Sequence, residues 1–141
     1  MKFLTILPAA IVALATPVLA ESHMGAGDPA AGEDVYKKCR SCHAVVSPDG
    51  ETIQKGGKTG PNLYGIIGKP MGADPDFRYS DLLEAANEQG LVWDAASLAA
   101  YVVDPTAYLQ EVTGESGRSK MTLKLNKGGE DVAAYLASVA E

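Results

Sequence analysis

Cys39-Arg40-Ser41-Cys42-His43 is the stretch on which the reading of this chain turns. At helical spacing, two cysteines three residues apart lie on one face, one turn from each other. A histidine directly after the second cysteine completes C-x-x-C-H, the attachment signature of a c-type haem. Two thiols so placed reach the two vinyl groups of one porphyrin and form thioethers. The imidazole of His43 then meets the iron from the proximal side.

Other chemistries fit these residues less well. A zinc site needs four ligands, and the chain has no second Cys/His pair. The only other histidine, His23, sits in a small polar stretch that reads as a frayed start. A thioredoxin-like redox pair needs a βαβ context, which the surrounding pattern does not offer. Export would favour a disulfide, but a bridge across three residues closes a tiny loop and stabilises little.

Working outward, the N-terminus has the pattern of an export signal. Lys2 is a short basic region, Phe3 to Ala15 an apolar one, and Pro17-Val18-Leu19-Ala20 a cleavage region with small residues at the −3 and −1 positions. The apolar run is short and holds Pro8, which argues against a membrane anchor. The expected division is therefore 1–20 as a cleaved signal peptide and 21–141 as one domain. The formal net charge of −6 becomes −7 once Lys2 is removed. Only 22 of the 121 remaining residues are Val, Ile, Leu or Phe. So low a share, with this net charge, is a mark of disorder, yet helical periodicity, six Tyr and Trp93 are present. Either the mature chain folds poorly, or something other than protein completes its core.

The remaining pattern is helical. Asp28-Pro29 offers an N-cap with proline at the first helical position, opening a helix that should run to about Cys39. Ser47 to Gly60 reads as loop, and Gly60-Pro61-Asn62 as a turn. Ser80 caps a short helix ended by Gly90. Asp94 caps another, with Leu98, Tyr101 and Val102 on one face, stopped by Asp104-Pro105. A fourth helix fits Pro105 to Val112. The last fits Gly129 to Ala140, with Val132, Tyr135, Leu136 and Val139 as its stripe. No strand shows alternation. The expected class is all-α, about five helices with long loops. Such loops are unusual in a small domain unless they serve a function; wrapping a rigid ligand would be one.

The sixth iron position separates electron transfer from ligand chemistry. A thioether closes it and raises the reduction potential, whereas an open position binds gases or peroxide. The candidates after the signal are Met24, Met71 and Met121. Met24 lies in the frayed start and Met71 in a Gly/Pro-rich turn close to His43. Met121 follows a polar loop that can fold back over the cofactor, so spacing favours it without excluding Met71. The alternative function is a haem enzyme or gas-binding protein with a labile sixth ligand.

The sequence resembles the bacterial class I c-type cytochromes of the cytochrome c2 family across residues 28–141. The motifs are Cys39–His43, Gly60-Pro61-Asn62-Leu63-Tyr64-Gly65, Phe77-Arg78-Tyr79-Ser80, Trp93, Leu98 to Pro105, Lys120-Met121 and Gly129 to Leu136. The resemblance implies one covalent haem c, with long loops wrapped around it and the first and last helices crossing. It implies His43 and Met121 as iron ligands, with the Pro61 carbonyl accepting from the proximal imidazole. Tyr79 and Trp93 match residues that bond a buried propionate. Tyr101 matches a tyrosine whose hydroxyl approaches the methionine sulfur, and Ser119 a hydroxyl near a propionate. Gly32 matches the helix crossing, against Tyr135 and Leu136. Three positions depart from the usual pattern: Lys69 where an Arg is common, Leu83 for Asn, and Leu123 for Phe. The implied role is a non-enzymatic periplasmic electron carrier, a monomer. It would take electrons from the cytochrome bc complex and pass them to a photosynthetic reaction centre or cytochrome c oxidase.

The charge is segregated. Residues 37–69 carry a net of +4 and residues 118–127 another +4, whereas residues 74–115 carry −8. Positive charge thus flanks both ligand motifs, and its field would orient an acidic partner. The expected docking residues are Lys37, Lys38, Lys58, Lys120, Lys124 and Lys127. An acidic exported chain is a poor candidate for nucleic acid.

Overall fold

The computed structural model describes residues 26–140. The expected signal peptide, 1–20, lies outside the described residues, as do His23 and Met24. Among the described residues, no helix is long and apolar enough to cross a membrane.

Among the described residues, five helices form in chain order: α1 (Pro29–Tyr36), α2 (Asp81–Glu88), α3 (Ala95–Val103), α4 (Pro105–Thr113) and α5 (Gly129–Ser138). Their starts follow from local chemistry. The Asp28 carboxylate accepts from Ala30 N–H, and Pro29 at the first position gives up no needed donor. Ser80 accepts from Leu83 N–H. Asp94 and Ser97 form a reciprocal capping box on α3. Asp104 ends α3 and caps α4 by accepting from Ala107 N–H. Gly114, at φ 73°, closes α4 in the left-handed region, where a side chain would be strained.

Two expectations need correction. The first helix ends at Tyr36, short of Cys39, and continues as a series of turns. Cys39 N–H donates to Tyr36 O at 2.8 Å, and His43 N–H to Cys39 O at 2.9 Å. The Cys39–His43 run is thus a helical turn set apart from α1. The segment after it is not wholly loop either. β1 (Val45–Val46) and β2 (Thr52–Gln54) pair antiparallel, with an irregular register between Val45 and Val46. Their turn is held by Ser47 N–H donating to Glu51 O at 2.9 Å. The ladder adds a small hairpin to a mainly helical fold.

The closest helix packing is between α1 and α5. A Cβ on Gly32 would run into the Asp131 carbonyl and stand 2.7 Å from Tyr135 Cβ. Only glycine lets these backbones meet so closely, which outweighs its cost inside a helix. Asp131 then accepts from Asp28 N–H at 2.9 Å, tying the start of α1 to α5. The core runs from Tyr36, Leu82 and Leu109 to Val132 and Leu136, all nearly inaccessible. Beside it opens a cavity of about 720 Å³, which loops from both halves of the chain wall in.

Candidate haem site

Cys39, Cys42, His43, Pro61, Tyr79, Trp93, Tyr101 and Met121 all line this one cavity. They come from six separate parts of the sequence. Cys39 is buried and Cys42 exposed, and no disulfide joins them. Burial pushes the Cys39 thiol up to about 11. Hydrogen bonds from Thr59 and Ser41 hold the Cys42 thiol below its usual value.

His43 is fixed through its ring. Nδ1 lies 2.8 Å from the Pro61 carbonyl, so it carries the proton and donates. That leaves Nε2 with the lone pair, the tautomer a metal needs. Burial lowers the pKa of the ring and so keeps it neutral, although the Pro61 bond acts in the opposite direction. Gly60 packs flat on the imidazole, and a Cβ there would stand 2.7 Å from Nε2 and nearer still to Cε1. Pro61 in turn is held by Asn62. The Asn62 side chain accepts from Val46 N–H at 3.0 Å and donates to Val46 O at 2.7 Å. The Tyr36 hydroxyl donates to the His43 carbonyl at 3.1 Å. Burial raises the Tyr36 pKa, so the phenol remains a donor.

Met121 sits on a second loop. Its backbone N–H donates to Ser119 Oγ at 3.1 Å, and Ser119 N–H donates to Thr106 Oγ1 at 3.1 Å. The Tyr101 hydroxyl lies 3.4 Å from the same Ser119 Oγ. Ser119 is buried behind the residues that line the cavity and holds the Met121 loop. Lys120 closes this loop over a neighbour by donating to the Arg78 and Tyr79 carbonyls. Met121 is the one methionine among the described residues that lines the cavity. Met71, the alternative left open by spacing, is 2% exposed and packs in the protein core.

The far wall is aromatic. Trp93 and Tyr101 rings meet edge-on at 4.9 Å, with Tyr108 packed against both. The Trp93 backbone is pinned by pairing with residues 68 and 69. Trp93 is buried on the cavity wall, and its indole N–H has no protein partner among the described residues. The Tyr79 oxygen accepts from Asp74 N–H at 3.3 Å, so its own proton is free to donate. Lys69 directs Nζ to the Tyr64 carbonyl at 2.7 Å. Leu83 and Leu123 both stand on the cavity wall.

The residues fit a porphyrin. Two thiols and a neutral imidazole share a wall with apolar side chains such as Ile66, Leu98 and Val132. Two unfilled donors, Tyr79 O–H and Trp93 N–H, suit the carboxylates that porphyrins carry. Among the described residues, no three His, Cys, Asp or Glu side chains gather as a metal cage of their own. Three features of this site go beyond the sequence reading: the Tyr36 hydroxyl, the Asn62 clamp and the Lys120 latch. Asn62 had a signal in the Gly60-Pro61-Asn62 turn. Lys120 acts across the fold and the Tyr36 hydroxyl on backbone seven residues on, and neither leaves one.

No protein-family model matches the chain. Curated relatives do. Cytochrome c-551 of Roseobacter denitrificans is 55% identical over 127 residues, covering 89% of this chain and 87% of the relative. Cytochrome c2 of Rhodobacter capsulatus is 45% identical over 139 residues, 98% of this chain and 97% of the relative. The solved structure of cytochrome c2 from Rhodobacter capsulatus superposes with a TM-score of 0.79 at 48% identity, covering 82% of this chain and all of that one. Near-full-length identity, the shared fold and the cavity built on Cys39–His43 agree: the chain belongs to the cytochrome c2 family, electron-carrying c-type cytochromes with one haem c bound covalently, here through Cys39 and Cys42.

Proposed function

We propose that this chain is a periplasmic cytochrome c2 whose haem iron is held by His43 and Met121. When bound, the haem supplies one-electron exchange between Fe(II) and Fe(III). The observation that carries the reading is the cavity itself. It receives a histidine with Nδ1 already tied to Pro61 O at 2.8 Å and, among the described residues, a single methionine.

The protein's own part is positioning. Pro61 sets the imidazole tautomer and rotation. Ser119, with Tyr101 and Thr106 behind it, sets the height of the Met121 loop. Lys120 keeps that loop against Arg78 and Tyr79. Tyr79 and Trp93 supply donors for a propionate. A site whose ligand side chains are held by hydrogen bonds moves little when the charge changes, which suits electron transfer better than substrate turnover.

The donor is the cytochrome bc complex, and the acceptor a photosynthetic reaction centre, cytochrome c oxidase or both. Residues 1–20 direct export. Docking uses the positive segments around the cavity, but the six lysines are not equivalent. Lys37 pairs with Asp34 and Lys124 with Asp104, each at 2.6 Å. Lys120 is held by two carbonyls. Lys38, Lys58 and Lys127 remain exposed and are not in ion pairs among the described residues.

The spectrum of the oxidised protein tests the ligation. A near-infrared sulfur-to-iron band is expected, and Met121→Ala should abolish it, lower the reduction potential and let the reduced protein bind carbon monoxide quickly. An unchanged band in Met121→Ala would overturn the assignment.

A further inference from the structure

We propose that Tyr36 is a positioning residue for the proximal imidazole, acting by fixing the carbonyl at the end of the Cys39–His43 turn. This turn ends at His43, whose N–H donates back to Cys39 O at 2.9 Å. The His43 carbonyl is left without a helical donor, because Ser47 N–H, four residues on, donates to Glu51 O instead. The Tyr36 hydroxyl, at 3.1 Å, makes the one hydrogen bond to that carbonyl among the described residues. From the hairpin side Gly56 lies flush on the same carbonyl, leaving no room there for a Cβ.

Tyr36 also holds the other end of the motif, since its own carbonyl accepts from Cys39 N–H at 2.8 Å. One residue thus brackets the whole attachment turn. Its hydroxyl is locked in place by a ring that is 0% exposed and packs on Tyr135 with centroids 5.6 Å apart. The His43 ring then hangs between two anchors, the backbone carbonyl on Tyr36 and Nδ1 on Pro61. The inference rests on His43 being the proximal iron ligand.

The test uses the haem-loaded protein with Tyr36→Phe, which keeps the ring and removes only the hydroxyl. Tyr135→Phe is the control: it takes a hydroxyl from the same aromatic pair, one that bonds Gln54 at 2.9 Å, and leaves the His43 carbonyl bonded. In the reduced protein, solvent exchange of the His43 Nδ1–H is measured by NMR against the amides of α5. Tyr36→Phe should speed Nδ1–H exchange by about fivefold or more relative to those amides. It should also displace the His43 ring resonances of the oxidised protein, and Tyr135→Phe should do neither. A smaller relative change, undisplaced resonances, or the same response in Tyr135→Phe overturns the proposal. Wild-type His43 resonances without a paramagnetic shift would overturn the ligation and this inference together. Shifted wild-type resonances with an unaltered Tyr36→Phe spectrum would overturn this inference alone.

Discussion

At Gly60 a single methyl group would occupy the space of the His43 imidazole, at 2.7 Å from Nε2. Gly60→Ala therefore forces either the ring or the Gly60-Pro61-Asn62 backbone to move, and both are hydrogen-bonded in place. Overpacking of this kind costs about 1–3 kcal/mol. The denaturation midpoint of the haem-loaded variant should fall accordingly, and an unchanged midpoint would show that the contact is looser than drawn. The same residue scale explains what could be read in advance. Cys39, Cys42 and His43 carry their chemistry within one run of five residues, so spacing alone exposes it. Tyr36 acts through one hydrogen bond to backbone seven residues on, and Lys120 through two to backbone that only the fold brings near. Lys120 lies about 40 residues from its acceptors, Arg78 and Tyr79. Counted as charge it looks like a docking residue, whereas in place it is a latch.

Among the elements, Asp104 does two tasks. It caps α4 through Ala107 N–H, and it accepts from Lys124 at 2.6 Å, joining α4 to the segment after Met121. The Lys124 hydrogen bond is the largest of the effects that hold its carboxyl below the usual aspartate value. The sign follows directly: the group prefers to be charged when folded, so its contribution is full above the unfolded pKa and fades as pH falls through the lower folded one. Lys124→Met should raise the Asp104 pKa toward its ordinary value, and an NMR titration of the carboxyl reads this out. A pKa that stays put would assign the shift to the helix cap alone. Caps of this kind made the helices legible, because Asp28, Ser80 and Asp94 mark helix starts by side-chain chemistry, whereas Asp104 read only as the end of α3. The hairpin was not legible. Strands of two and three residues are too short to alternate, and their pairing depends on the Ser47–Glu51 turn.

For the molecule as a whole, two properties follow from distribution rather than from amounts. The net charge of −6 conceals two positive segments, 37–69 and 118–127, and of the six expected docking lysines Lys38, Lys58 and Lys127 are exposed and outside the ion pairs among the described residues. Electron transfer with an acidic partner should slow as ionic strength rises toward about 0.15 M, and Lys58→Glu or Lys127→Glu should slow it at low salt. A rate indifferent to salt would remove steering from the account. The second property is the thin apolar core, 22 Val, Ile, Leu and Phe in 121 residues, arranged around a cavity of about 720 Å³. A covalently held porphyrin would fill that space with apolar contact that the chain itself does not supply, so much of the folding free energy must come with it. The direct measurement is far-UV circular dichroism and denaturant unfolding of residues 21–141 with Cys39→Ala and Cys42→Ala, which cannot retain the group covalently. This account predicts a largely unfolded chain without a cooperative transition. A compact form that unfolds cooperatively would contradict it.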